Sequence, residues 1–180
     1  KDRSGNFKNL ETYSKEQNFN VHIIESIMPT DSSNKFSSSI IRENIKNGEM
    51  EKANFALGRN WHMNGIIIEG DKRARKINFP TANVLPSKHI IPRKGVYCVE
   101  AYINDKKYVG ISNFGERPTV DGSKLLLETH IFNFNKEIYG NELTVRFLTF
   151  IRPEQKFNNF EELTKQIIKD IEIAREFHNI

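Results

Sequence analysis

Residues 97–112 read YCVEAYINDKKYVGIS, and this segment predicts two antiparallel strands joined by a tight turn. The apolar residues of its first half recur at every second position, which is the period of a strand with one buried face. They are Tyr97, Val99, Ala101 and Ile103. Asn104-Asp105 follows and suits the turn of a two-residue hairpin. The segment therefore predicts a β-hairpin.

Further strand patterns lie on both sides of this hairpin. Residues 65–69 form a short, apolar strand candidate, and residues 124–134 form a long one. Between Leu143 and Arg152 the buried-face positions are predicted to be Leu143, Val145, Phe147, Thr149 and Ile151. Several strands at short spacing with Gly and Pro turns predict a mainly β fold, a small antiparallel β-barrel of the Greek-key type.

The last segment of the chain has helical periodicity. Apolar residues recur at the spacing of one helix face, at Phe160, Leu163, Ile167, Ile171 and Ala174. Asn158 or Asn159 can supply the N-cap. This pattern predicts an amphipathic C-terminal helix packed on the barrel.

Residues 1–58 differ in composition from residues 59–180. The first part is rich in Asn, Lys, Ser and Glu, with a strand-like run at residues 20–25. Two short helices are expected near residues 40–47 and 49–57, because a glycine follows each and can end it. We therefore expect two domains divided between residues 58 and 59, the first too poor in apolar residues to form its own core. The chain does not begin with Met, and we expect it to be a piece of a longer protein.

The composition limits the class of protein. The 180 residues are 37% hydrophobic and 28% charged, which is typical of a globular protein with a core. The sequence has neither an apolar run long enough for a membrane helix nor a signal peptide, so we expect a cytoplasmic protein without a membrane partner. One cysteine excludes an internal disulfide and a cysteine-based zinc site. The net charge of +4 suits a phosphorylated ligand and a nucleic acid equally.

The segment Phe79-Pro80-Thr81-Ala82-Asn83 is the first candidate for chemistry. Proline disfavours helix in the residue before it, so the backbone enters the segment extended. Thr81 and Asn83 then present two oxygen ligands on one side of the chain. Mg²⁺ binds few protein oxygens and shares its remaining positions with phosphates and water. An ordinary turn would have the same residues.

Two further segments are candidates. Glu128 shares a strand face with His130 and Phe132. In a cleft such a carboxylate would act as a general base toward a hydroxyl, whereas at the barrel rim it would only face water. Residues 71–76, DKRARK, precede the proline segment, where their cationic side chains would meet a polyphosphate. A solvated turn between strands would look the same.

The order of these motifs closely resembles the riboflavin kinase family. The resemblance runs from about Gly58 to the end of the chain. It is carried by five segments, namely residues 79–83 (FPTAN), 94–97 (KGVY), 110–119 (GISNFGERPT), 127–132 (LETHIF) and 150–157 (FIRPEQKF). It implies an enzyme that uses ATP with Mg²⁺ to phosphorylate riboflavin to FMN.

The same resemblance implies roles for individual residues. Thr81 and Asn83 are expected to hold Mg²⁺ and the ATP phosphates, and Glu128 is expected to be the base that takes the proton of the ribityl 5′-hydroxyl. The other residues expected to bind nucleotide or flavin are Arg73, Arg75, Phe79, Pro80, Asn113 and Arg152. Ala74 and Asn78 stand where the family commonly has Gly.

A second resemblance lies upstream. Residues 36–42, FSSSIIR, are similar to a motif near the end of nucleotidyltransferase domains. The two domains occur in this order in the bifunctional riboflavin kinase/FAD synthetase family, so residues 1–58 are expected to be an α/β remnant of the FMN adenylyltransferase domain. That second activity is one alternative function.

Two arguments weigh against the alternatives. Nucleotidyltransferases of this kind depend on a His-x-Gly-His element, which none of the five histidines forms. A nucleic-acid-binding barrel is the other alternative, and it would interleave aromatic and basic residues on one exposed strand face. The phenylalanines here lack that arrangement, so we expect riboflavin and ATP as partners and no nucleic acid.

Overall fold

The structure is a computed structural model that describes residues 6–24, 36–70, 79–86, 90–119 and 122–180. Contacts divide the chain into two units, Lys1–Phe36 and Ser37–Ile180. The first unit contains helix α1, Phe7–Gln17, which begins where the Asn6 side chain accepts the N–H of Asn9 at 3.0 Å. The strand predicted over residues 20–25 is wrong for residues 20–24, which pair with no other segment that the structure describes. Glu25 lies outside the described residues.

In the residues that the structure describes, the second unit contains three helices and six strands. The helices are α2 (Ser38–Asn47), α3 (Met50–Leu57) and α4 (Phe160–His178). The strands are β1 (His62–Ile68), β2 (Ala82–Val84), β3 (Gly95–Ile103), β4 (Lys106–Thr119), β5 (Gly122–Ile131) and β6 (Glu142–Pro153). No helix in the described part of the chain is both long and apolar enough to span a membrane.

The six strands close into an antiparallel barrel in the order β1-β2-β5-β4-β3-β6. Strands β3, β4 and β5 follow one another as hairpins, and β6 returns to lie beside β3, which is the Greek-key arrangement. The predicted turn at Asn104 and Asp105 is present, with positive φ angles of 48° and 61° that suit a two-residue hairpin. The predicted fold class, a mainly β barrel with a C-terminal helix, is confirmed.

The barrel interior is filled by side chains from alternate strand positions. The predicted inward residues of β3 (Tyr97, Val99, Ala101 and Ile103) all belong to this core. The ring of Phe147 lies 5.0 Å from the ring of Tyr97 and 5.0 Å from that of Trp61. Close packing of this kind leaves no room for a ligand inside so small a barrel.

The alternation predicted for β6 is correct only in its first half. Leu143, Val145 and Phe147 face the interior, but two irregularities in the pairing with β3 follow. Leu148 and Ile151 are the extra residues, and both pack under α4 on the outside of the barrel. The prediction that Thr149 and Ile151 continue the inward face is therefore wrong, because each bulge shifts the period by one residue.

Helix α4 packs on the outside of the barrel, as predicted. Its N-cap is Asn159, whose side chain accepts the N–H of Glu162 at 2.9 Å. Ile171 and Ala174 pack against outward-facing residues of the barrel, namely Val96, Cys98, Ile111 and Phe132. Burial, with a smaller contribution from Glu51, raises the pKa of the Cys98 thiol to about 12, so this cysteine remains protonated as a packing residue.

Helices α2 and α3 pack against the barrel core. Gly48 and Gly58 end them in the left-handed conformation, as the sequence predicted. Ile45, Met50 and Ala53 are fully buried with the interior residues of the barrel. The domain boundary predicted between residues 58 and 59 stays a prediction, but the packing of these two helices belongs to the second unit.

Candidate active site

A cleft of about 570 Å³ lies on the outer face of the barrel, beside the first half of α4. Seven residues that the sequence analysis singled out line it together. They are Phe79, Pro80, Thr81, Asn83, Asn113, Glu128 and Arg152. The other two, Arg73 and Arg75, lie outside the described residues, as do Ala74 and Asn78.

Strand register explains why residues so distant in sequence meet in this cleft. Glu128 of β5 lies directly opposite Asn83 of β2 on one side and Asn113 of β4 on the other. The row continues from Asn113 to Val96 of β3 and from Val96 to Arg152 of β6. Because directly opposed residues share a sheet face, these five side chains form one row on the outer face.

Asn83 presents a buried acceptor that none of the described residues satisfies. The residue is only 3% exposed, and its Nδ2 donates to the carbonyl of Thr81 at 3.1 Å. Its Oδ1 has no hydrogen-bond partner among the residues that the structure describes. Gly70 leaves the space for this amide, since a Cβ there would lie 2.5 Å from Asn83 Nδ2. A buried acceptor without a partner is unfavourable, so a bound donor or cation would stabilise it.

His130 links residues 79–83 to β5 by a hydrogen bond. Its Nδ1 lies 2.9 Å from the carbonyl oxygen of Pro80. Because a carbonyl only accepts, Nδ1 carries the proton in this contact. The ring also makes an edge contact with Phe79, with centroids 5.5 Å apart. The contact therefore fixes the backbone that leads into Thr81, and His130 has a structural role.

Glu128 is half-buried between Asn83 and Asn113 in the row, and a cation lies near it. The side chain is 35% exposed, and its Oε1 lies 4.0 Å from a terminal nitrogen of Arg117. Arg117 stands on β4 four residues after Asn113, so the two side chains share one strand face. Arg117 belongs to the segment 110–119, but its role was not predicted, because spacing alone does not show where a long side chain ends.

Arg152 lines the cleft, but Asp170 of α4 holds its guanidinium. Nε donates to Asp170 Oδ1 at 2.9 Å, and a terminal nitrogen donates to Oδ2 at 2.7 Å. Gln166 also donates to Oδ1, at 2.9 Å. The Asp170 side chain is 4% exposed, so this ion pair ties α4 to β6. The sequence analysis missed Asp170, although a carboxylate beside Ile171 on the packed face was a usable signal.

The two ends of the cleft differ in chemistry. Apolar side chains of α4, β3 and β4 form one part, with two aromatic residues beside them. These are Leu163, Ile167, Ile171, Val96, Ile111, Phe157 and Phe160. Thr81, Asn83, Asn113 and Glu128 supply the polar part. Such a cleft suits a ligand with a flat apolar portion and a polar portion.

A metal ion would have few protein ligands here. In the described ranges, no three or more His, Cys, Asp or Glu side chains come together in a group that could hold a metal. The oxygens available beside Glu128 are those of Thr81 and Asn83, and the buried Asn83 Oδ1 lacks a partner in the described chain. This donor set fits Mg²⁺, which usually takes one or two protein oxygens and completes its shell with phosphates and water.

The fold and the cleft together define a β-barrel domain with a cleft of small-molecule size on its outer face. The family model for riboflavin kinase, Flavokinase, matches residues 57–178. The chain belongs to the riboflavin kinase family, and the enzyme class inferred from the sequence motifs is confirmed.

Curated relatives agree with this family. The chain is 44% identical over 156 residues to the bifunctional riboflavin kinase/FMN adenylyltransferase of Bacillus subtilis, covering 84% of this chain and 49% of that protein. It is 39% identical over 178 residues to the protein of the same name from Haemophilus influenzae, covering 98% of this chain and 57% of that protein. The chain thus spans about half the length of the curated relatives it matches.

A solved structure agrees with the fold. The crystal structure of a Streptococcus pneumoniae protein, described as a macrolide-efflux protein, matches with a TM-score of 0.82 and 32% identity. The match covers 93% of this chain and 54% of that one. The barrel and its flanking helices therefore occur in a longer chain of known structure.

We expect His130 to make stability depend on pH. Burial lowers the pKa of His130 below 6.5, more than the Pro80 contact raises it, and Arg175 lowers it further. As the pH falls below about 6.5, the unfolded chain gains this proton before the folded chain does, and the free energy of unfolding decreases. In His130→Gln, the denaturation midpoint should therefore fall less between about pH 7.5 and about pH 5.5 than in the parent.

Urea denaturation at the two pH values checks this prediction. His178 also has a pKa lowered by burial, so part of the pH dependence should remain in the variant. The exposed His22 provides the control, because His22→Gln should keep the full dependence. An unchanged pH dependence in His130→Gln would show that this imidazole is not desolvated in the folded protein.

Proposed function

We propose that residues 59–180 transfer the γ-phosphoryl group of ATP to the 5′-hydroxyl of riboflavin, giving FMN and ADP. Membership of the riboflavin kinase family supports the reaction. The observation that supports the assignment of residues is the strand register that sets Glu128 directly beside Asn83. This register brings a carboxylate to the same place in the cleft as an amide oxygen that has no partner among the described residues, and phosphoryl transfer to a hydroxyl needs such groups.

Glu128 is proposed as the general base. The oxygen of the 5′-hydroxyl forms a bond to the γ-phosphorus while the bond from that phosphorus to the β–γ bridging oxygen breaks. The hydroxyl proton passes to the Glu128 carboxylate, and ADP leaves. The position of Glu128 supports this role, because it is half-buried between Asn83 and Asn113 rather than at the end of a strand. A positioned base of this kind contributes about 10²- to 10⁴-fold to a rate.

Thr81 and Asn83 are proposed to bind Mg²⁺ and the ATP phosphates. When bound, the ion would neutralise charge on the phosphate oxygens. The Asn83 amide is aimed by its own Nδ2 contact to the Thr81 carbonyl, and the Pro80 carbonyl is fixed by His130. Both ligands therefore stand on a backbone that is oriented before the substrate arrives, which lowers the entropic cost of the reaction.

The remaining assignments follow the shape of the cleft. The apolar part between α4 and the barrel is proposed to take the flavin rings, with Arg152 and its Asp170 partner forming one wall. Asn113, beside Glu128 in the row, is proposed to bind the ribityl chain or a phosphate. The nucleotide-binding roles of Arg73 and Arg75 stay predictions, since those residues lie outside the described part of the chain.

The activity of the whole protein is a separate proposal. The relatives are named as bifunctional riboflavin kinase/FMN adenylyltransferases, and we propose that a protein containing this chain also converts FMN to FAD. The chain itself is proposed to carry only the kinase reaction, because none of its histidines forms a His-x-Gly-His element. The cytoplasmic location and the absence of a nucleic-acid partner stay predictions.

Product analysis tests the proposed reaction. We expect the chain, mixed with riboflavin, ATP and Mg²⁺, to form FMN and ADP in equal amounts and no FAD when flavins are separated by chromatography. FAD formation would contradict the assignment of the adenylyltransferase reaction to other residues. Bound riboflavin without any FMN would contradict the proposed kinase activity of this chain.

We expect Glu128→Gln to lower kcat by about 10²- to 10⁴-fold, because the amide cannot accept the hydroxyl proton. Riboflavin binding, followed by flavin fluorescence, should change little since the side chain keeps its size. Glu137→Gln, which changes an exposed glutamate outside the cleft, is the matched control and should retain the parent kcat. Full activity in Glu128→Gln would exclude this residue as the base.

We expect Thr81→Ala to raise the KM for MgATP by about tenfold, which corresponds to about 1.4 kcal/mol of lost binding. The hydroxyl is one of the two proposed protein ligands of Mg²⁺, so the Mg²⁺ concentration for half-maximal rate should rise too. The KM for riboflavin should stay close to the parent value. Thr12→Ala, in the exposed face of α1, is the control. A change confined to the riboflavin KM would contradict the assignment.

A further inference from the structure

Two arginines line the described part of the cleft, and they are in different situations. The guanidinium of Arg152 pairs with the carboxylate of Asp170, whose side chain is 4% exposed, and donates a hydrogen bond to the carbonyl oxygen of Pro153. Breaking such a buried pair would leave the Asp170 carboxylate uncompensated, so Arg152 is held where it is. Arg117 instead has its guanidinium near the polar end of the cleft, beside the carboxylate of Glu128.

The position of Arg117 follows from the hairpin of β4 and β5. Its backbone lies opposite Lys124, whereas Asn113 lies opposite Glu128. The long side chain therefore runs back along the outer face, and its terminal nitrogen comes within 4.0 Å of Glu128 Oε1. The Arg117 side chain is 28% exposed, which leaves the guanidinium partly desolvated and able to act in a cleft.

We propose that Arg117 binds the phosphoryl group during its transfer, an inference that rests on the proposed function. The hydroxyl that attacks must contact the Glu128 carboxylate, and the γ-phosphorus must lie within bonding distance of that hydroxyl. A guanidinium adjacent to the same carboxylate is therefore within reach of the oxygens on phosphorus. Arg117 neither gains nor loses an atom in this step, because it only donates hydrogen bonds and keeps its proton throughout.

Arginine suits this role better than the other groups in the cleft. Its planar fork of donors matches two phosphate oxygens at once, and it stays charged at any pH that the protein tolerates. Charge spreads over the phosphoryl oxygens in the transition state, so donors fixed beside them stabilise that state more than the ground state. The nearby side chains of Asn83, Asn113 and Thr81 are uncharged and cannot replace it.

The Glu128 carboxylate lies beside the guanidinium before ATP binds. Glu154 supplies a second carboxylate to the lining of the cleft, next to Gly115, which stands two residues before Arg117. When a phosphate enters, the guanidinium exchanges part of its carboxylate contact for phosphate oxygens. This exchange leaves Glu128 available to the hydroxyl.

Kinetics of Arg117 variants test this inference. Arg117→Gln should lower kcat by about 100-fold, as removal of one transition-state donor does elsewhere, with the KM for riboflavin nearly unchanged. Arg117→Lys should recover part of the loss because it keeps the charge but not the fork. Lys124→Gln is the matched control, because it removes an exposed cation directly opposite Arg117 and outside the cleft lining. Its kcat should equal that of the parent.

A second readout separates phosphoryl binding from a structural role. MgADP with fluoroaluminate mimics the transferring phosphoryl group, and its affinity in the presence of riboflavin can be followed by flavin fluorescence. Arg117→Gln should bind this mixture at least about tenfold more weakly while binding riboflavin alone as the parent does. If Arg117→Gln does not fold, the same comparison is made with Arg117→Lys.

The outcomes are distinct. A kcat within twofold of the Lys124→Gln value, or an unchanged affinity for the fluoroaluminate mixture, would overturn the role of Arg117. A parent chain that forms no FMN would instead overturn the proposed function. Weaker fluoroaluminate binding together with a lower kcat would establish Arg117 as a catalytic residue of the phosphoryl transfer.

Discussion

The closed register of the barrel is the constraint on which the cleft depends. Side chains alternate between the interior and the outer face, so a slip of one residue in any strand pair would move a cleft residue into the core. The pairing of β5 with both β2 and β4 sets Glu128 between Asn83 and Asn113. Closure makes this register difficult to change, because all six strands would have to shift together. Backbone hydrogen bonds between the strands therefore fix the positions of the side chains that line the cleft.

The two bulges of β6 also decide which residue lies in the row. They bring Arg152, rather than Phe150, opposite Val96 at the end of the row. Phe150 instead packs with the interior core, opposite Tyr97. Arg152 can then meet Asp170 across the gap between β6 and α4. A buried carboxylate without this partner would be unfavourable, so the ion pair also specifies where α4 lies along the barrel.

The sequence predicts the local features well and the distant contacts poorly. The hairpin at Asn104 and Asp105 and the helix ends at Gly48 and Gly58 depend on neighbouring residues and were predicted correctly. The cap at Asn159 was one of the two candidates, Asn158 and Asn159. The inward face of β6 was predicted wrongly because its two bulges depend on the pairing with β3 and on the packing of α4. The row from Asn83 to Arg152 is equally non-local, since it crosses five strands. Motif resemblance supplied most of its members, but the pairing of Asp170 with Arg152 and the reach of Arg117 appear only in three dimensions.

The outer face, rather than the interior, is the place where this barrel can do chemistry. Tyr97, Phe114 and Phe147 are fully buried among the other apolar side chains of the interior, where a charged phosphate would be unfavourable. An open outer face would be too exposed, because charges in bulk water interact weakly. The first half of α4 covers that face and turns it into a cleft with one apolar wall. The proposed reacting groups then lie between a rigid sheet and a helix that the Asp170–Arg152 ion pair holds in place. In such a site, few charges and a fixed geometry suffice for phosphoryl transfer.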